Sequence, residues 1–162
     1  MIISRRTALA SVVGIAGLAV VAACGDDSAA GPPEIIYGRD VCAECHMIIS
    51  EARFAAAYRD AKGKPFTFDD VGDMVTFAKR SDVVDTMTAW VHDYNSEKWI
   101  DAKNAHYVAG SSVVSPMGHN TVAFAKATEA EKFQKENGGK VIAWSELLKA
   151  EATPHSDHDS HQ

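Results

Sequence analysis

Apolar positions along this chain fall into three rhythms. An uncharged, largely apolar run spans Ala8 to Ala23. Short alternating segments then follow, and these predict strands. They are Phe54–Tyr58, Pro65–Phe68, Thr86–Tyr94, Lys98–Ile100, Ala105–Ala109, Thr121–Ala125 and Val141–Ala143. Helical spacing comes third. Met74, Val75, Phe77 and Ala78 share one face behind Asp69-Asp70, either of which can cap a helix. Glu129 to Glu136 predicts a second helix, stopped by Gly138-Gly139. Ser145 would cap a short last one over Glu146–Ala150. A turn at Ala61-Lys62-Gly63-Lys64 joins the first two strands. The element order hints at an internal duplication, since a loop with metal-ligand side chains precedes each of the first two helices.

The first apolar run is an address. Arg5 and Arg6 precede it, and at sixteen residues it is short for a bilayer span. It ends in Val21-Ala22-Ala23-Cys24, followed by the polar Gly25-Asp26-Asp27-Ser28. That pattern resembles a bacterial lipobox, with Cys24 lipidated and first in the mature chain. A plain signal peptide or an anchor helix is the alternative. Ser4-Arg5-Arg6-Thr7 also resembles a twin-arginine start, so either export route is open. The organisation expected is therefore a signal peptide at 1–23, a flexible tether at 24–34, one domain at 35–150 and a polar tail at 151–162. The domain divides into halves near 35–85 and 86–150.

Charge narrows the partners. The formal net charge is −6, and it becomes more negative once Arg5 and Arg6 leave with the leader. No basic patch remains to neutralise phosphates, which argues against nucleic acid. The tail carries three of the seven histidines, His155, His158 and His161. It reads equally as a weak scavenger of Cu(II), Ni²⁺ or Zn²⁺ and as a solvated segment in which histidine is incidental.

The chemistry gathers in Cys42-Ala43-Glu44-Cys45-His46-Met47. With Cys24 set aside for lipid, every other thiol of the chain lies here. Four readings are open. A Cu(I) site would use Cys45, Met47 and a methionine from elsewhere, because a polarisable d¹⁰ ion prefers thiolate and thioether donors. A thioredoxin-like redox pair needs the motif at a helix start after a strand, a context not predicted here. Half a zinc knuckle would have to recruit His46, His119 or carboxylates, and zinc does not favour methionine. A structural disulfide is compatible with an oxidising exterior. The sulfur-rich composition favours copper. Met47 and Met117 discriminate: Met117 sits in the turn Pro116-Met117-Gly118-His119, whereas Met74 and Met87 lie in apolar periodic segments and read as packing. His46 and His119 adjoin these methionines as auxiliary ligands or as ordinary polar residues. His92 and His106 read as structural.

Taken in order, these pieces resemble a known family. After the lipobox and Cys42-x-x-Cys45-His46-Met47 come Phe68-Asp69-Asp70 and Trp99-Ile100-Asp101-Ala102. Then follow Ala105-His106-Tyr107-Val108, Ser115-Pro116-Met117-Gly118, Ala123-Phe124-Ala125 and Gly138-Gly139-Lys140-Val141. Over roughly 35–150 the chain is similar to the NosL copper-binding lipoproteins associated with assembly of nitrous-oxide reductase. The resemblance implies an α+β fold of two small related halves, each a few antiparallel strands with a helix, distantly like organomercurial lyase. It implies a non-enzymatic Cu(I) chaperone whose ligands fall on Cys45, Met47 and Met117. Cys42 occurs in part of the family only, and His46 stands where many members have glycine. The implied setting is a bacterial membrane surface facing the periplasm or exterior. Its implied partners are a client cuproprotein, nitrous-oxide reductase with its copper–sulfur centre, and the client's membrane maturation complex. Rival readings are a thiol-disulfide oxidoreductase using Cys42 and Cys45, a lyase, and a zinc-binding interaction lipoprotein.

Overall fold

A computed structural model describes residues 31–150; Cys24, the leader and the histidine tail lie outside the described residues. Two antiparallel sheets and three α-helices make up an α+β fold. The first sheet has the order β2-β1-β3-β4, from Ala56–Arg59 (β1), Pro65–Phe68 (β2), Thr88–His92 (β3) and Trp99–Asp101 (β4). The second has the order β6-β5-β7, from His106–Ala109 (β5), Val122–Phe124 (β6) and Lys140–Ala143 (β7). β3 and β4 thus lie beyond residue 85 yet pair into the first sheet. The sheets are stitched where β3 ends. Tyr94 N–H donates to Ala123 O at 2.8 Å, and Ala125 N–H donates to Asp93 Oδ1 at 2.9 Å.

Alternation predicted the strands, and packing trimmed them. Phe54 falls in a 3₁₀ turn, Ala52–Phe54, and is buried against the second sheet's cluster with Val108, Val122, Phe124 and Phe133. The β1–β2 turn is held by Asp60, whose Oδ1 accepts from Lys62 N at 2.8 Å and Lys64 N at 2.9 Å. Such a carboxylate stands in for a backbone turn partner.

α1, Val71–Arg80, is capped by Asp70, whose Oδ1 accepts from Gly72 N at 2.8 Å. Lys79 and Arg80 sit in its last turn, where cations complement the helix dipole. Its apolar face buries Val71, Met74, Val75 and Ala78 against the first sheet. Met74 is fully buried and Met87 nearly so, as their periodic segments implied. α2, Ala127–Asn137, begins two residues earlier than the pattern suggested and ends at Gly138, φ +71°. α3, Trp144–Lys149, corrects an expectation. It starts at Trp144, so Ser145 is inside it and not its cap; the Glu146 carboxylate accepts from Ala143 N at 3.2 Å instead. His92 is structural: Nδ1 meets Glu97 O and Nε2 meets the Tyr37 hydroxyl, both at 2.8 Å.

Candidate metal site

Two loops converge on the first turn of α1. The first is a tight hairpin, closed by an antiparallel bridge between Val41 and Ile48. Inside it Cys42 N–H donates to Met47 O at 2.8 Å and His46 N–H to Cys42 O at 3.1 Å. His46 takes φ +62°, the left-handed conformation that glycine adopts without strain. Two tethers fix the hairpin to the first sheet and α1. Ala43 N–H donates to Thr67 O at 2.9 Å, and the Arg80 guanidinium grips both oxygens of Glu44 at 2.6 Å.

This aims the thiols at α1. Cys42 is fully buried and Cys45 half-buried, and both are free. Cys42 Sγ donates to Asp73 Oδ2 at 3.3 Å and Cys45 Sγ to Asp69 Oδ1 at 3.5 Å. One ligand atom from each of Cys42, Cys45, Asp69 and Asp73 lies within 4.8 Å of all the others.

The second loop runs from Ser115 to Asn120. Ser115 Oγ donates to Asp70 Oδ2, and Met117 N–H reaches the same oxygen at 3.4 Å. His119 Nε2 pairs with Asp73 Oδ1 at 3.1 Å. The ring lies across Gly72 so closely that a Cβ there would stand 2.1 Å from its Cγ.

Burial and these contacts set the protonation. Burial pushes the Cys42 thiol up to about 11 and the Cys45 thiol further. Burial also raises Asp69 and Asp70. Burial acts the same way on Asp73, but the hydrogen bonds from His119, Cys45 and Cys42 outweigh it and hold its carboxyl below the usual range. His119 is raised by its bond to Asp73, against its burial. Without a metal, then, the cluster holds protonated thiols donating to carboxylates beside a positively biased imidazole.

Of the residues singled out from sequence, Cys42, Cys45 and His119 come together here, and Met117 is tied in by its backbone. Met47 follows the thiols on the hairpin and is 56% exposed. His46 is exposed at the turn. Sequence reasoning read Asp69 only as a cap and missed Asp73. The available signal was a crowd of acids, 69, 70 and 73, at one helix start, where a single cap suffices. Asp69 precedes the extended cap residue Asp70 and Asp73 lies in the first turn of α1, so it is the fold at the helix start that brings the two together.

Fold and donor set together make a small α+β module in which two thiols and two carboxylates stand close enough to take one metal ion. The chain belongs to the NosL family, whose model matches residues 33–152. It is 27% identical to the copper-binding lipoprotein NosL of Achromobacter cycloclastes, over 90% of this chain and 83% of that one. It is 26% identical to the copper-binding lipoprotein NosL of Stutzerimonas stutzeri, over 73% and 67%. The crystal structure of the copper chaperone NosL from Shewanella denitrificans superposes with a TM-score of 0.61 at 26% identity, covering 70% of this chain and 93% of that one. Among the described residues no helix is long and apolar enough to cross a membrane.

Proposed function

We propose that this protein is a Cu(I) metallochaperone. Anchored by lipid at Cys24 outside the cytoplasm, it delivers copper to a cuproprotein, the copper–sulfur centre of nitrous-oxide reductase. The ion is cargo. Cys45 is its anionic donor and Met47 and Met117 its thioether donors, with Cys42, His46 and His119 as auxiliaries. The observation that carries the reading is the convergence of the Cys42–Met47 hairpin and the Met117 loop on one helical turn.

The donor chemistry suits a carrier. Loading replaces the S–H bond of Cys45 by a copper–sulfur bond and releases a proton. Neutral thioethers hold the ion without a second charge. The 56% exposure of Met47 leaves a side from which an incoming ligand can attack before the older bonds break. A thiol-disulfide oxidoreductase would work through Cys42 and Cys45 alone and would not depend on Met117, whereas a carrier would. On this reading the protein catalyses no reaction.

One observation favours a second metal. Two thiols with two carboxylates, Asp69 and Asp73, form a set that zinc accepts. Competition titration under reductant decides between them. The expected result is one Cu(I) per chain, held far more tightly than Zn²⁺, and nearly lost in Cys45→Ser. Tighter Zn²⁺ binding would overturn the copper reading. Cys24→Ala should free the protein from the membrane fraction with copper affinity intact. A fall in affinity would make the leader part of the site.

A further inference from the structure

We infer that Asp70 is a positioning residue for copper binding: one carboxylate caps α1 and, with its other oxygen, holds the Met117 loop in register with the thiols. This rests on the reading of Met117 as a copper donor. Asp70 is fully buried. Its Oδ1 serves its own helix through Gly72 N at 2.8 Å. Its Oδ2 serves a segment 45 residues away, accepting from Ser115 Oγ and from Met117 N at 3.4 Å. A cap alone needs one acceptor, and serine or asparagine supplies it as well as aspartate does. The second oxygen is what the cap does not explain.

The loop it holds is a closed unit. Asn120 N–H donates to Ser115 Oγ at 2.9 Å, Asn120 Oδ1 accepts from Ser115 N at 3.3 Å, and Gly118 N–H returns to Ser115 O at 2.9 Å. Fixing Ser115 and Met117 N therefore fixes the whole turn. The next residue back from Asp70 is Asp69, which takes the Cys45 thiol. Two adjacent carboxylates thus set the thiol hairpin and the methionine loop against one point of one helix. A binding site whose donors come from distant segments needs such a support to hold its geometry within a fraction of an ångström. A carboxylate suits the task because hydrogen bonds to an ionised acceptor are the stronger kind.

The test is a set of Cu(I) chelator competitions on the intact chain in detergent under reductant, with copper-edge X-ray absorption of the loaded protein. Asp70→Asn keeps an oxygen for the cap and loses the acceptor for the loop. Ser115→Ala leaves the cap untouched and removes the loop's own contact. Each should weaken Cu(I) binding about tenfold, roughly the effect of one hydrogen bond to a charged group. The count of sulfur neighbours at copper in Asp70→Asn should fall by one. Added to Met117→Leu, neither change should cost further affinity, because residues acting through one donor are not additive. Losses that add in full on the Met117→Leu background, or an unchanged sulfur count, would overturn the role of Asp70 while leaving Met117 a donor. If Met117→Leu alone bound copper like the parent, the donor reading itself would fall, and the positioning role with it. Should Asp70→Asn fail to fold, Ser115→Ala decides.

Discussion

His46 sits at φ +62°, in a hairpin whose side chains otherwise carry the chemistry. A left-handed conformation costs a side-chain-bearing residue roughly 1–2 kcal/mol. Glycine avoids that cost and loses part of the gain to unfolded-chain entropy, so His46→Gly should stabilise the protein by about 0.5–1 kcal/mol in urea denaturation. As an auxiliary ligand it should cost Cu(I) affinity only modestly when lost in the same variant; unchanged affinity in chelator competition would make it a turn residue and no ligand. The thiols give a second prediction. Both have pKa values raised above neutral, so between pH 6 and 8 each copper-bound sulfur must first shed a proton. With Cys45 the single anionic donor, affinity should fall about tenfold per unit of pH lowered. A fall near a hundredfold per unit in the same chelator competition would bring in Cys42 as a second thiolate. At this scale the sequence was informative for sulfur and poor for oxygen. Cysteine and methionine packed into six residues stand out by rarity. Asp69 and Asp73 look like ordinary acids at a helix start until the hairpin folds over them.

At the scale of elements, the sequence pattern located the seven strands and three α-helices of the described residues but not the 3₁₀ turn Ala52–Phe54, and tertiary contacts moved their ends. Phe54 continues the alternation of the following strand, yet its ring belongs to the other sheet's cluster, so the backbone turns there. Ser145 looks like a cap by composition, but helix geometry begins one residue sooner because Glu146 reaches back to Ala143 N. Nothing in the periodicity distinguishes Gly72 from a helix-weakening glycine. The His119 ring packed across it explains the residue: an added Cβ would lie 2.1 Å from Cγ. Gly72→Ala gains up to about 1 kcal/mol of helix propensity but should be destabilising overall, by roughly 1–3 kcal/mol of steric strain, in thermal unfolding. A raised melting temperature would mean that His119 leaves the helix freely. Met74→Leu, in the same helix but buried against the first sheet, should cost under about 1.5 kcal/mol and leave copper affinity as it was.

Over the whole molecule, which strands share a sheet was not legible, because pairing depends on contacts far apart in sequence. β3 and β4 join β1, not β5, and the joint between sheets is made by the Asp93 carboxylate and the Tyr94 backbone. His92 stands beside that joint, and burial lowers its pKa. The unfolded chain therefore binds the proton more readily, and stability should fall as pH drops below about 6.5, until the lowered folded value is passed. Urea midpoints from pH 7.5 to 5 should drop less steeply in His92→Gln than in the parent; parallel slopes would remove His92 as the cause. The proposed copper site is likewise long-range, with sulfur from two distant segments holding the ion. Copper-edge X-ray absorption of the one-to-one Cu(I) complex counts those sulfurs. Cys45, Met47 and Met117 predict three sulfur neighbours, falling to two in Met117→Leu. Two sulfurs accompanied by carboxylate oxygens, unchanged in Met117→Leu, would contradict it and assign the ion to Cys42, Cys45, Asp69 and Asp73.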